Sequence, residues 1–424
     1  MSAQRGEAAV GAEWRDKVGD MPAASRTRVT WADLAKGVCI VLVVLRHVTN
    51  KQYRWMDWSG PAASVVDRWQ QLSLVLQPLR MPLFFLLSGW FVASWLARPL
   101  GRYLERRVLR PWYLFVAWIS VHGIWWLIVP PIHGVNRVEH WSQVPLELVW
   151  ASSGVWYLYA LAAYALVARA THTAPAPLVI AAAATVAVIA SADVLGPLDG
   201  DRAAVLANLV FFLIGARLPT LVHRIGELAA RSSLAATLVV MLFVAASVAA
   251  IGYDLHGLGH APGTLLVLST LGVTAGIAAA VRADLGSPTL SRRGSWLGAR
   301  TLQIYVLHVP LVALLDLALR RSGVAAALTS APTPVSVAAA LAYPLVATAL
   351  LIVVSLGIER ALRRPAPWLF ELPTPLRFSR LRPAPQVPSR RRRRFATRAA
   401  SAPPDQRAPG SRTPLPATPP TSDP

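Results

Sequence analysis

Cys39 is the only cysteine in this 424-residue chain, so no intrachain disulfide can form and a zinc site built from cysteines is excluded. Charge is scarce as well. Only 15% of the residues are Asp, Glu, Lys or Arg, where ordinary soluble domains carry about a quarter. The polar faces that would alternate with apolar stripes in soluble helices are missing. The first thirty residues are charged and lack the short apolar region of a cleaved signal peptide, so insertion is expected to use the first hydrophobic segment itself. No internal repeat is evident, which removes the usual pointer to an inverted-repeat transporter. The net charge of +21 comes with no helix-turn-helix, zinc or RNA-binding motif, so it does not indicate nucleic acid. No metal site is expected, although a His256-x3-His260 pair follows Asp254 on a short loop; two His at that spacing are by themselves a weak signal.

What the chain has in quantity is hydrophobic sequence: 54% of residues, with a mean hydropathy of +0.45. The apolar residues come in blocks of about 17–25, the length that crosses a bilayer core. They fall near 34–50, 74–97, 112–130, 154–171, 177–195, 203–218, 234–252, 262–282, 301–320 and 335–359. Pro and Gly clusters mark the joints, among them Pro111, Pro130-Pro131, Gly196-Pro197, Pro219 and Pro288. The expected fold class is an all-α polytopic membrane protein, about ten transmembrane helices in one bundle with disordered termini. Residues 1–30 form an N-terminal tail, 31–362 the membrane domain and 363–424 an Arg/Pro-rich tail that buries too little apolar surface to order itself.

The basic residues set the expected orientation. Arg98, Arg102, Arg106, Arg107 and Arg110 follow the second segment with Glu105 as the only acid, which places that loop in the cytoplasm. Alternation then puts inside the loops with Arg217, Arg224 and Arg231 and with Arg292, Arg293 and Arg300. Both termini follow, in a cell (inner or plasma) membrane. Arg320-Arg321 is the exception. From Arg363 onward there are thirteen Arg and no Lys against Glu371, Asp405 and Asp423, so about half of the net charge sits in the tail. The run Arg390–Arg394 suits anionic lipid headgroups, at about 1 kcal/mol per residue.

The first segment carries ionisable residues where lipid makes them costly: Asp33, Lys36, Arg46 and His47. Asp33 and Lys36 are i,i+3 neighbours and can pair. Lys36 and His47 lie eleven residues apart, which puts them on one helix face roughly 16 Å apart at 1.5 Å per residue. A snorkelling Lys and an interfacial His explain the pair blandly. The functional alternative is a His base aligned with an acceptor hydroxyl. Cys39, inside the same apolar run, reads as packing.

Asp33-Leu-Ala-Lys36-Gly37 followed by Val43-Val-Leu-Arg-His47 resembles the opening of the acyltransferase-3 family, integral-membrane O-acyltransferases, in its fucose 4-O-acetylase-like branch. Lys36-x10-His47 fits the family's spacing of Arg or Lys to His. Arg80-Met-Pro-Leu-Phe-Phe-Leu-Leu-Ser88-Gly89 is similar to its Met-Pro-Leu-Phe-Phe-x-x-Ser-Gly pattern, and Arg107-Val-Leu-Arg110 to its Arg-x-x-Arg element. Gly154-Val-Trp156-Tyr157-Leu158 and Thr301-Leu-Gln-Ile-Tyr305-Val-Leu-His308-Val-Pro310 follow in order, so the resemblance covers roughly residues 31–360. Arg46 departs from it, standing where relatives commonly have a small residue.

The resemblance implies an acyl-CoA co-substrate, acetyl-CoA by preference, on the cytoplasmic side, and a glycan or glycolipid hydroxyl as acceptor, with no other cofactor. His47 would deprotonate the hydroxyl or carry the acyl group, and Lys36 with Asp33 would orient the donor. Arg107 and Arg110 would grip CoA phosphates, although positive-inside topology alone also accounts for them. Arg80, Ser88, Trp156, Tyr157 and His308 are candidates to line the site. Ser88 has no Gly-x-Ser-x-Gly elbow around it, which favours helix packing over a nucleophile. Three other functions fit the same sequence: a transporter or flippase, an acyltransferase for a small metabolite, and a catalytically dead assembly component.

Overall fold

The computed structural model describes residues 29–130, 132, 133, 140, 142, 154–191, 200–254 and 263–373. Among them there is no strand. Fourteen helical stretches follow one another: α1 (Thr30–Lys51), α2 (Gly60–Val75), α3 (Gln77–Ala93), α4 (Leu100–Ile128), α5 (Trp156–Ala170), α6 (Ala176–Ser191), α7 (Gly200–Arg217), α8 (Pro219–Arg231), α9 (Ser233–Asp254), α10 (Thr264–Gly286), α11 (Pro288–Gly298), α12 (Thr301–Arg321), α13 (Val324–Thr329) and α14 (Thr333–Leu362). Every hydrophobic segment read from the sequence falls on a helix.

Among the described residues, six stretches are long and apolar enough to cross a membrane: α2 running into α3, then α4, α9, α10, α12 and α14. A seventh is reached if α7 and α8, bent by 85° at Leu218, count as one broken span. Asp33, Lys36, Arg46 and Lys51 interrupt the apolar run of α1, which is why that helix is not among the six. The outward faces show what solvent the protein is built for. Only 17% of the apolar window of α9 is buried, and Leu238, Met241, Leu242 and Val248 point away from the bundle. In water such a stripe would drive aggregation; in hydrocarbon it is the required surface. The chain is an all-α membrane protein.

α1 runs through the middle of the bundle, with Ala32, Cys39, Ile40, Val44 and Val48 essentially inaccessible. Its first half lies against α11 at backbone contact. A Cβ added to Gly298 would collide with the Asp33 carbonyl, and one added to Gly37 with the carbonyl of Gly294. Thr30 Oγ1 donates to Asp284 Oδ2 at 2.7 Å, and Ser295 Oγ to the Thr30 carbonyl at 3.0 Å, which ties the start of α1 to α10 and α11. Its far end is held by α14: Tyr53 Oη donates to Ala340 O at 2.8 Å and Tyr343 Oη to Gln52 Oε1 at 2.7 Å. Burial pushes the Tyr53 phenol above its usual range, so it stays a donor.

α3 is locked in the same way. Gly89 abuts the carbonyl of Phe212, and Gly215 of α7 abuts that of Leu86, so the two helices touch backbone to backbone. The small residues of the Ser88-Gly89 pair therefore do permit close packing, through the glycine.

One charge that runs against the expected bias finds a local explanation. Arg320, which runs against the expected charge bias, pairs with Asp316 at 2.9 Å. The packed chain also reaches ten residues past the point where composition begins the tail. Leu369, Phe370 and Leu372 are buried; Trp118 Nε1 donates to Leu369 O at 2.7 Å and Tyr113 Oη to Trp368 O at 3.1 Å, strapping this segment to α4. Its aromatic and aliphatic residues pack where Pro and Arg content alone suggested disorder. Residues 1–28, the Arg390–Arg394 run, and His256 and His260 lie outside the described residues.

Candidate functional site

Two cavities, of about 660 and 470 Å³, lie on the inner side of α1. They divide between them all the candidate site residues singled out in the sequence except Asp33 and His308. Lys36, Ser88, Arg107, Arg110 and Tyr157 line the smaller cavity; His47, Arg80 and Trp156 line the larger. The consecutive residues Trp156 and Tyr157, at the start of α5, thus face different cavities. Val43, Met81 and Tyr305 line both, so one layer of side chains separates the two spaces.

The smaller cavity has a basic rim. Lys36 Nζ sits 2.7 Å from Asp33 Oδ1 and 4.5 Å from the centre of the Phe91 ring. The ion pair keeps the ammonium directed across one helical turn, and the ring face adds a cation–π contact. Asp33 reaches neither cavity; its part is to hold Lys36. Arg107 occupies a π-helical turn, Leu104–Leu109, that opens α4. Such turns displace a side chain from the regular helical path and recur at functional sites. Arg107 Nη2 donates to Phe91 O at 3.0 Å, and its guanidinium lies 4.7 Å from the Trp95 ring. Arg106 and Arg110 are exposed at the same rim. Deeper inside, Ser88 Oγ donates to Phe84 O at 2.8 Å, which leaves it to accept from Tyr157 Oη at 3.1 Å. A serine held this way is an oriented polar group with no base against it, and its environment is not that of an activated nucleophile.

The larger cavity contains His47. The His47 ring lies 4.8 Å, centre to centre, from that of His308 on α12, tilted by 50°. Sequence separation hides this pairing, since the two stand 261 positions apart. His308 is fully buried, and its Nδ1 is 2.6 Å from Tyr305 O. A carbonyl only accepts, so Nδ1 carries the hydrogen and Nε2 keeps its lone pair. Among the described residues that Nε2 has no hydrogen-bond partner. His308 lines neither cavity and stands behind His47.

Arg80 is buried beside His47, and Arg46, which no sequence pattern placed, joins it. Arg46 Nη1 and Arg80 Nη1 each lie 3.4 Å from Ser73 Oγ on α2. Reasoning from sequence missed Ser73, Asn50, Asn208 and Lys51 in this group. A polar residue carries no local signal of the neighbouring helix it will face. Asn50 Oδ1 and Asn208 Oδ1 are buried in the cavity wall without a partner among the described residues.

A family model described as an acyltransferase domain matches residues 29–358. The curated protein "Inner membrane protein YcfT" of Escherichia coli (strain K12) is 26% identical over 152 residues, 33% of this chain and 43% of that protein. The chain thus aligns with less than half of that relative's length. No solved structure matches it.

Proposed function

The chain belongs to the acyltransferase-3 family and is a multi-pass membrane enzyme that transfers acyl groups other than amino-acyl groups; from that premise we propose that it moves an acetyl group from cytoplasmic acetyl-CoA to a hydroxyl of a cell-envelope glycan or glycosylated acceptor. What supports the reading is the pair of cavities meeting at Val43, Met81 and Tyr305, one rimmed by Lys36, Arg106, Arg107 and Arg110, the other holding His47. Guanidinium groups bind phosphate bidentately, which suits Arg107 and Arg110 to the phosphates of CoA. Lys36, fixed by Asp33, orients the donor. The thioester is then presented at the shared layer.

On the other side His47 accepts the proton of the acceptor hydroxyl. The freed oxygen attacks the thioester carbonyl, the C–S bond breaks, and the departing CoA thiolate takes up the proton that His47 gives back, leaving an oxygen ester and a neutral base. His308, in ring contact with His47 and fixed in its tautomer by Tyr305 O, holds the base in place. This chemistry assigns the basic rim to the cytoplasmic face and the His47 cavity to the opposite face of an inner or plasma membrane, with about ten spans and both termini inside. Trp156 supplies a stacking face for a sugar.

The test is acetyl transfer by the purified protein in proteoliposomes, together with mass spectrometry of envelope glycans from cells with and without the gene. His47→Ala is expected to lower transfer by about 10²–10⁴-fold, the usual worth of a general base. Identical acyl esters in all strains, or full activity in His47→Ala, would refute the reading.

A further inference from the structure

Resting on the acyl-transfer reading above, we infer that the acceptor enters the larger cavity through a phosphoryl group clasped between Arg46 and Arg80. The cavity is lined by Arg46, Lys51, Arg54 and Arg80 as well as His47 and His133; no Asp or Glu appears among its described lining residues. Two of these cations do more than face the same space. Arg46 comes from α1 and Arg80 from α3, yet both donate toward the one hydroxyl of Ser73 on α2, 3.4 Å from each. Their donor nitrogens therefore stand within about 7 Å of each other, where like charges in a poorly screened interior repel strongly.

Ser73 Oγ has two lone pairs and can accept from both, but it brings no charge. Arg80 is only 4% exposed and Ser73 only 6%. Two guanidinium ions gathered around one buried neutral acceptor form a costly arrangement until an anion joins them. A tetrahedral phosphoryl group suits the gap. Its three free oxygens, set tetrahedrally and carrying up to two negative charges, can take a fork from each arginine, whereas a planar carboxylate brings one charge and only two oxygens for the pair to share. The CoA phosphates have their own cations at the other cavity, whose lining includes neither Arg46 nor Arg80.

The rest of the wall suits the remainder of such a molecule. Asn50 Oδ1 and Asn208 Oδ1 are acceptors awaiting donors, as sugar hydroxyls provide, and Trp55 and Trp156 offer ring faces. Because Arg46 precedes His47 on α1, a phosphoryl group held by Arg46 sets a nearby hydroxyl against the base. Arg46 and Arg80 thereby become specificity-determining residues that select phosphorylated acceptors over neutral ones.

Binding of simple probes tests this without relying on catalysis. Dodecyl phosphate represents a lipid-borne phosphate, glycerol 3-phosphate a water-soluble phosphate monoester without a lipid chain, and dodecyl glucoside a neutral control. Each is titrated against the full-length protein in detergent, and affinity is measured by thermal stabilisation at low and high salt. At least one phosphate probe is expected to bind the wild type at least tenfold more tightly than it binds Arg46→Gln or Arg80→Gln, with affinity falling as salt rises, while the glucoside is indifferent to both changes. Whichever phosphate probe binds more tightly identifies the source. Arg46→Lys and Arg80→Lys keep the charge should a glutamine variant fail to fold, and are expected to recover binding only in part, since the planar fork is lost. Phosphate probes that bind no better than the glucoside, or equally well to wild type and every arginine variant, would overturn the inference. Probe binding with no acyl transfer by the wild type would instead sink the acyl-transfer reading and leave the phosphoryl site standing.

Discussion

At the scale of single residues, the candidate side chains are polar groups given defined partners inside an apolar bundle. Lys36 has Asp33, His308 has the Tyr305 carbonyl, and Arg107 has the Phe91 carbonyl. Each bond fixes the direction of a group that would otherwise seek the headgroups. For Arg107 this carries a prediction. Arg107→Ala should raise the KM for acetyl-CoA by about 10–100-fold, the worth of a charge-assisted hydrogen bond, with a smaller effect on kcat. Arg107→Lys should recover only part of the loss. Steady-state kinetics with acetyl-CoA as the varied substrate would show it, and an unchanged KM in both variants would reduce Arg107 to a topology signal. Asp33, Lys36 and His47 were legible from residue type and spacing, because a charge in an apolar run stands out wherever it falls; Arg80, Ser88, Arg107, Arg110, Trp156, Tyr157 and His308 came with the family resemblance. Their partners were not. Nothing local to Arg46 indicates that Ser73 and Arg80 will meet it, since that depends on how α1, α2 and α3 pack.

At the scale of elements, legibility followed hydrophobicity. Long apolar runs announced α9, α10, α12 and α14 within a few residues of their ends. α11 was missed because Pro288-Thr-Leu-Ser-Arg-Arg-Gly-Ser-Trp-Leu-Gly298 reads as a basic loop, yet it is the helix that lies closest to α1. Its glycines are what admit that contact. Gly298→Leu has no room to expand, because the obstacle is the Asp33 backbone rather than a flexible side chain. Overpacking of this kind costs about 1–3 kcal/mol, and more where backbone must move. Since the displaced residue is Asp33, the Lys36 pair should be disturbed with it, so the variant is expected to lose both unfolding temperature and activity. Gly357→Ala, where an added Cβ meets nothing within 4 Å, should be within about 1 kcal/mol of wild type. Equal thermal unfolding of these two variants in detergent would contradict the account of the α1–α11 contact.

For the molecule as a whole, composition began the tail at residue 363, while the packed chain runs about ten residues further. Pro and Arg dominate after Arg363, and they mask Trp368-Leu-Phe-Glu-Leu372, a short apolar cluster that packs on α4. A chain ending after Pro373 should keep the stability of the full-length protein. A chain ending after Arg363 leaves Trp118 Nε1 without its acceptor, and a buried donor left so costs about 1–3 kcal/mol. Its unfolding temperature should therefore fall, and matching melting curves for the two truncations would show that the strap contributes nothing.

The layer made by Val43, Met81 and Tyr305 also has an electrical meaning. Where two water-accessible hollows approach from opposite faces, the bilayer's insulation shrinks to the side chains between them. On the proposed topology, the membrane voltage, worth about 2.3 kcal/mol per unit charge for each 100 mV, drops across that layer rather than across a full hydrocarbon core. The ester bond would then form in one of the strongest fields in the cell envelope. A charge displaced there as the thiolate leaves, or as His47 takes its proton, moves through a sizeable share of the whole potential.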